Sequence, residues 1–268
     1  MTALSIVMPV YNESATIIQA VNRVLAVDYP CPMEFIVVDD GSTDRTPQLL
    51  RPFADLGVKT VRHPSNRGKG AAVRTGVRSA TGTHVIILDA DLEYSPSDIP
   101  ALLLPVLYGF ADHVFGTRIF GLNTRFPSYR FAMGGRFTTF VANVLFDSRI
   151  TDMHTCLKLI PTQDFRTLTL SENGFGLDTE LTAKILRAGV RPYEVPVTYN
   201  GRTCGEGKKI TWRDGLQCLW ILTMVRLHKP DKLPAATAET VGVVVQMPAA
   251  PVPRRGGQPE AQIANAAM

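Results

Sequence analysis

Three carboxylates stand at alternate positions in the run DADLE: Asp89, Asp91 and Glu93. If the chain stays extended there, residues at i, i+2 and i+4 point to one side of the backbone, where their oxygens suit a hard cation. Magnesium or manganese is commonly held by one or two carboxylates, with water and substrate phosphates filling the other positions. The triplet also reads as solvated loop acids or as a capping run before Pro96. An EF-hand is excluded, because Tyr94 stands where that loop needs glycine and Pro100 where it needs glutamate. A second acidic cluster, DDGSTD (Asp39 to Asp44), could accept hydrogen bonds from a ribose and from a base N–H through Asp39 and Asp40. It also fits a turn, with Gly41 left-handed and Ser42 as a helix cap. The run NRGKG (Asn66 to Gly70) offers backbone amides and Lys69 to a phosphate. It is neither a Walker A loop nor GxGxxG, since Val73 takes the third glycine's place, which argues against kinases and dehydrogenases.

The elements that must position these groups can be read from hydrophobic periodicity. Strands are predicted at Leu4 to Pro9, Phe35 to Val38, Val58 to Val61 and Val85 to Leu88. Helical patterns follow each: one capped by Ser14 with Ile17, Val21, Val24 and Leu25 in register, one with Pro47 in its first turns, one over Lys69 to Ser79 and one over Pro96 to Leu107. Such alternation predicts βαβ units in a mostly parallel, doubly wound α/β sheet with helices on both faces. PVYNE (Pro9 to Glu13), DDGSTD, NRGKG and DADLE each follow a predicted strand, so they gather at one end of the sheet, where such folds bind ligands. The second half is less regular. An apolar stripe at 133, 137, 140, 141, 144 and 145 predicts a helix over 125 to 146, with others over Leu177 to Arg187 and Trp212 to Leu227 and a strand around Val195 and Val197. The expected organisation is one catalytic domain over 1–229 and an Ala/Pro-rich tail over 230–268.

Composition narrows the classes. The chain has 268 residues, 45% of them apolar and 19% charged, so it can bury a sizeable core, and disorder throughout is excluded. No stretch reaches the roughly 18 apolar residues that span a bilayer, and the N-terminus lacks a signal-peptide pattern, so the expected location is the cytoplasm. The four cysteines and five histidines lack zinc or redox spacing. A net charge of +4 with interspersed signs does not imply nucleic acid.

Seven motifs in order carry a resemblance: PVYNE, VVDDGSTD, NRGKGAAVRTG, DADLEYSP, GTR (Gly116 to Arg118), TDMHTCLKLIP (Thr151 to Pro161) and EGKKITWRDG (Glu206 to Gly215). From Leu4 to about Arg226 the chain resembles the family 2 glycosyltransferases of GT-A fold, and within them the dolichyl- and polyprenyl-phosphate sugar synthases. The resemblance implies a Rossmann-like sheet and an inverting transfer of a hexose from a UDP- or GDP-sugar, with Mg2+ or Mn2+ on the pyrophosphate. By motif matching, Pro9, Tyr11, Glu13 and Asp40 would line the nucleoside pocket, with Asp39 beside them. Asp89, Ala90 and Asp91 would meet the donor, and Asp89, Asp91 and Glu93 the metal; Glu93 stands where mannose synthases often carry glutamine. Arg118 and Arg202 match arginines near the phosphates, and Lys208 and Lys209 lie in a loop that in relatives closes over the donor.

The chemistry of the acceptor then decides which groups matter. A departing nucleoside diphosphate needs positive charge, for which Arg202, Lys69 and Lys209 are candidates beside the cation. A hydroxyl acceptor needs a general base, whereas a phosphate monoester with a second pKa near ~6 is already largely dianionic and needs cations instead; Arg118, Arg130 and Arg136 are candidates. Asp178 and Glu180 begin a helix where family 2 enzymes acting on hydroxyls place their catalytic acid. Here they read as a base, an acceptor-positioning pair or favourable charges at a helix N-terminus. The helices over 125 to 146 and Trp212 to Leu227 have apolar stripes that fit either a core or peripheral contact with a membrane. Two other classes compete. A nucleotidyltransferase should carry a glycine-rich loop directly after the first strand, which PVYNE is not, and a non-catalytic nucleotide-sugar module has no need of Asp89 and Asp91.

Overall fold

The computed structural model describes residues 1–119, 124–202 and 212–233. Lys208, Lys209 and the expected tail from 234 onward lie outside the described residues. In chain order the elements are β1 (Leu4–Val10), α1 (Ile17–Leu25), β2 (Met33–Asp39), α2 (Thr46–Leu50), β3 (Lys59–Arg62), α3 (Lys69–Ser79), β4 (His84–Ile87), α4 (Ile99–Leu107), β5 (Val114–Thr117), β6 (Thr124–Arg125), α5 (Tyr129–Phe146), β7 (Lys158–Pro161), α6 (Thr162–Thr167), α7 (Leu177–Arg187), β8 (Tyr193–Pro196), β9 (Tyr199–Asn200) and α8 (Trp212–Leu227).

A seven-stranded sheet runs β3-β2-β1-β4-β7-β5-β8, and β6 pairs with β9 in a separate two-stranded ribbon. Its parallel part is the one expected from the sequence: β1 pairs in parallel with β2 and β4, and β2 with β3. All seven residues of β1 are buried, as a strand covered on both faces requires. Leu4, Ile6, Met8 and Val10 pack with Ile17, Val21 and Val24 of α1 and with Leu102 of α4. Val7 faces the other way, onto Val73 and Val77 of α3 and Leu177, Leu181 and Ile185 of α7. The period of two thus sorts one strand into two cores.

Three features depart from the sequence reading. First, β7 is inserted between β4 and β5 and runs antiparallel to both. Its first residue, Lys158, consequently lies opposite Phe115 near the carboxyl end of β5, among the loops that carry the motifs. Second, α1 begins at Ile17 with Thr16 at its N-cap position; Ser14 instead donates its N–H to Asp44 Oδ2 at 3.1 Å. Third, α5 turns part of its apolar stripe outward. Phe137, Phe140 and Val144 are 56%, 63% and 66% exposed, while Thr138, Thr139 and Ala142 are buried. In the middle of α5 the inward face is small and polar, with Thr138 and Thr139 returning their hydroxyls to the Gly135 carbonyl and Thr139 accepting from Met153 N, whereas toward its end Phe146 is buried and Val141 and Leu145 pack against the core. Helix α8 buries Ile221, Leu222 and Val225 and leaves Leu216, Trp220 and Leu227 exposed. The chain also stays on the domain past Lys229: Asp231 accepts from Thr169, and Leu233 packs at the edge of the core.

Candidate functional site

The loops after β1 and β2 are stapled to each other. Asn12, in a left-handed conformation (φ 55°), donates its N–H to Ser42 Oγ at 2.9 Å and accepts from Thr43 N through Oδ1 at 2.8 Å. Glu13 N donates to Thr46 Oγ1 at 3.0 Å. Pro9 is buried in β1, Glu13 accepts from Thr16 Oγ1 at 2.7 Å, and Tyr11 stands at the rim, 36% exposed.

Asp39 and Asp40, expected to meet a nucleoside, are both buried and turned toward the protein. Asp39 Oδ1 accepts from Ser42 N at 2.9 Å, and its Oδ2 lies 3.1 Å from Arg62 Nε. Asp40 accepts from Arg67 N at 3.0 Å and Gly68 N at 2.7 Å, and its Oδ1 is 2.6 Å from His63 Nδ1. It therefore organises the NRGKG loop. That loop needs its glycine: Gly68 has φ 94°, and a Cβ there would come within 2.3 Å of Asn173 O. His63 carries no sequence signal for this role, because its partner lies 23 residues away across a crossover.

The acidic run does not stay extended. Asp91 Oδ1 accepts from Glu93 N at 3.0 Å and Leu92 takes φ 65°, so the chain turns there, and Asp91 and Glu93 are linked through one guanidinium, with Arg202 Nη2 2.9 Å from Asp91 and Nε 3.4 Å from Glu93. The Glu93 carboxylate accepts from Tyr199 Oη at 2.8 Å and from Arg202 N at 3.0 Å. Among the described residues no three His, Cys, Asp or Glu side chains converge to hold a metal ion. The three-carboxylate geometry inferred from an extended chain is thus replaced by a pair, Asp89 and Asp91, with Glu93 bracing the Arg202 backbone. A pair still fits a divalent cation that keeps positions for water and phosphate. The site is rich in negative charge: burial, then Asp89 and Glu93, raise the Asp91 carboxyl to about 6, against the Glu93 N–H and Arg202.

Behind the pair lies a chain of buried charges. Lys69, at the start of α3, places Nζ 2.8 Å from Asp89 Oδ2 and 3.2 Å from Asp178 Oδ2. Burial works against its charge, but Asp178 and Asp89 lift its pKa well above the ordinary lysine value. Asp178, at the start of α7, also faces Lys158, whose Nζ is 3.9 Å from Oδ1. Burial opposes its ionisation too, yet Lys69 and Lys158 hold its pKa below the ordinary carboxylate value. Lys158 is 1% exposed, donates to the Thr155 carbonyl and lies 5.5 Å from the Phe115 ring centroid. Burial lowers its pKa despite Asp178 and Asp152. Glu180 accepts from the N–H groups of Ser171 at 2.9 Å and Glu172 at 2.8 Å, and so ties down the loop before α7.

The arginines divide. Arg118 is buried and forks onto Asp152, with Nε at 2.6 Å and Nη2 at 2.7 Å, its guanidinium 4.8 Å from the Tyr199 ring centroid. Arg130 and Arg136 lie exposed on α5. Arg202 reaches Asp91 Oδ2 with Nη2 at 2.9 Å. Ala90 is buried between the two acids. By direct contact the structure therefore gathers Lys69 with Asp89 and Asp178, and Arg202 with Asp91 and Glu93; it adds Lys158 beside Asp178 and Asp152 beside Arg118, which sequence reasoning did not single out although both lie in the TDMHTCLKLIP motif.

A family model described as glycosyl transferase family 2 matches residues 5–168. The glycosyltransferase AglJ of Haloferax volcanii is 29% identical over 215 residues, which are 80% of this chain and 68% of that protein. The dodecaprenyl-phosphate galacturonate synthase of Rhizobium johnstonii is 38% identical over 105 residues, 37% of this chain and 31% of that one. Glucosyl-3-phosphoglycerate synthase from Mycobacterium tuberculosis, in complex with Mn2+, UDP and phosphoglyceric acid, superposes with a TM-score of 0.63 at 21% identity, covering 85% of this chain and 80% of that one.

Proposed function

The chain belongs to glycosyl transferase family 2 and has its GT-A fold, and from that premise we propose that it transfers a hexose, with inversion, from a nucleotide diphosphate sugar to a polyprenyl phosphate. The observation that carries the choice of acceptor is the state of Asp178. A general base must accept a proton near neutral pH. Asp178 stands between Lys69 and Lys158 with its pKa held down, so it is a poor base and a good anchor. An acceptor that arrives as a phosphate dianion needs no base. The relatives named for polyprenyl-phosphate sugars favour the same acceptor.

In this reading Tyr11, Pro9 and Glu13 border the nucleoside, and Asp39 and Asp40 act one step back by shaping the loops that enclose it. Asp89 and Asp91 would hold a divalent ion, a reading supported by the presence of Mn2+ in the complex of the structural neighbour. When bound, that ion supplies positive charge to the departing diphosphate. Lys69 and Arg202 add fixed charge on either side of the pair, and Lys209 belongs to the segment expected to meet the same group. Arg130 and Arg136 meet the acceptor phosphate, while Arg118 positions the floor through Asp152.

Among the described residues no helix is long and apolar enough to cross a membrane. Contact with the lipid is instead proposed for the outward face of α5, where Met133, Phe137, Phe140 and Val144 recur at helical spacing beside two exposed arginines. In this reading the enzyme works at a membrane surface. The test is transfer to a short polyprenyl phosphate from a panel of UDP- and GDP-sugars with Mg2+ or Mn2+. Lipid-linked sugar that disappears with Asp91→Ala is the expected result. Transfer to a hydroxyl acceptor but not to the lipid phosphate would overturn the reading.

A further inference from the structure

Neither carboxylate of the Asp89/Asp91 pair stands open. Lys69 Nζ is 2.8 Å from Asp89 and 3.2 Å from Asp178. Arg202 is 2.9 Å from Asp91 through Nη2 and 3.4 Å from Glu93 through Nε. Each cation is therefore shared between one carboxylate of the pair and one carboxylate outside it. Either can give up the first without losing the second: Lys69 falls back on Asp178, and Arg202 on Glu93, which also accepts its backbone N–H.

We propose that Lys69 and Arg202 are resident counter-cations of the Asp89/Asp91 pair, which a divalent ion must displace, so that the ion binds weakly alone and tightly together with a diphosphate. The inference rests on the reading of Asp89 and Asp91 as metal carboxylates given above. Its physical basis is the charge balance. Asp89, Asp91, Glu93, Asp178 and, further from Arg202, Glu13 face Lys69, Lys158 and Arg202, an excess of two negative charges that leaves each carboxylate of the pair with a cation beside it. A divalent ion entering alone would meet Lys69 and Arg202 at the very oxygens it needs, in a half-buried site where like charges repel. A diphosphate entering with the ion offsets that repulsion, and its oxygens take hydrogen bonds from the two displaced cations. Each contact therefore serves twice: it neutralises the acids before the donor arrives and is handed to the donor's phosphates afterwards.

The experiment is Mn2+ binding to the full chain, read as the Mn2+ retained with the protein in equilibrium dialysis against a common solution of Mn2+, with inorganic pyrophosphate as the second probe and its own Mn2+ complex equal on both sides of the membrane. Wild type is compared with Lys69→Gln, Arg202→Gln and Asp91→Asn, each checked for folding by circular dichroism. Removing one resident cation is expected to tighten Mn2+ binding in the absence of pyrophosphate by roughly tenfold. Pyrophosphate is expected to tighten Mn2+ binding to wild type more than to either variant, because the variants lack a cation for it to collect. Arg202 is one-third exposed, so its replacement keeps the test open if the Lys69 variant fails to fold. Equal or weaker Mn2+ binding in Arg202→Gln, or equal gains from pyrophosphate in every protein, would overturn the proposal. Mn2+ binding that survives in Asp91→Asn overturns it through the metal assignment itself. No sugar or lipid is present, so these outcomes are separate from the transfer assay, which alone decides the acceptor.

Discussion

Asp178→Asn should destabilise the protein far more than a surface change, and the loss should be repairable by a second substitution. The side chain is 14% exposed and neutralises two lysines, one of them Lys158 with none of its side chain exposed. Removing the anion from a buried pair leaves the partner charge uncompensated, which costs about 3–5 kcal/mol. For a domain of this size that lowers Tm by roughly 10 °C. Lys69 retains Asp89, so most of the penalty falls on Lys158. The sign of the pH dependence follows. In the variant, Lys158 has a folded pKa depressed below its unfolded one, so the unfolded state binds more protons between the two values and stability rises with pH across that window. Asp178→Asn should therefore regain stability toward alkaline pH, and the double variant Asp178→Asn/Lys158→Met should regain most of it at neutral pH without that slope. Urea unfolding of the three proteins from pH 6 to 10 measures both. A single variant within about 1 kcal/mol of wild type, or a double variant no more stable than the single, would refute the buried-anchor account and return Asp178 to the list of candidate bases.

Other perturbations follow from the same geometry. Gly68→Ala forces a Cβ to within 2.3 Å of Asn173 O at φ 94°, so it should cost about 2–3 kcal/mol in denaturant unfolding and weaken nucleotide binding with it. Phe137→Glu/Phe140→Glu alters only exposed side chains, so Tm should stay within a few degrees while flotation with anionic liposomes is lost; retained flotation would remove α5 as the lipid-facing element. Glu93→Gln keeps the shape that accepts from Tyr199 and Arg202 but removes a charge, and it should preserve Mn2+ binding with pyrophosphate, because Asp89 and Asp91 remain; loss of that binding would make Glu93 a metal carboxylate after all.

The parallel half of the sheet and the place of the site were legible in the sequence for a simple reason. Strands buried on both faces must be short apolar runs, crossovers between parallel strands must be helical, and ligand chemistry gathers past the carboxyl ends, so β1, β2, β3 and β4 with their four polar loops follow from local pattern alone. Periodicity also marked α5 and α7, but not which way α5 faces. A stripe of Phe137, Phe140 and Val144 looks the same in sequence whether it meets a core or solvent, and the structure turned Thr138 and Thr139 inward instead. Residue type singled out Asp89, Asp91 and Lys69 as candidates, and the structure places Lys69 on Asp89 and Arg202 on Asp91. Residue type could not assign Asp39 and Asp40 to loop anchoring, nor move Glu93 onto Tyr199 and Arg202, because those roles depend on a turn at Leu92 and on partners 106 and 109 residues away. The insertion of antiparallel β7 between β4 and β5 is the clearest case. Nothing in KLIP sets its direction, yet that direction alone brings Lys158 to the carboxyl ends of its neighbours and beside Asp178. The sequence determined which groups are available and at which end of the sheet they collect, since both follow from local pattern. Their pairing was decided by tertiary structure, because a carboxylate's role is set by the charges that reach it, and those come from elements the local pattern does not connect.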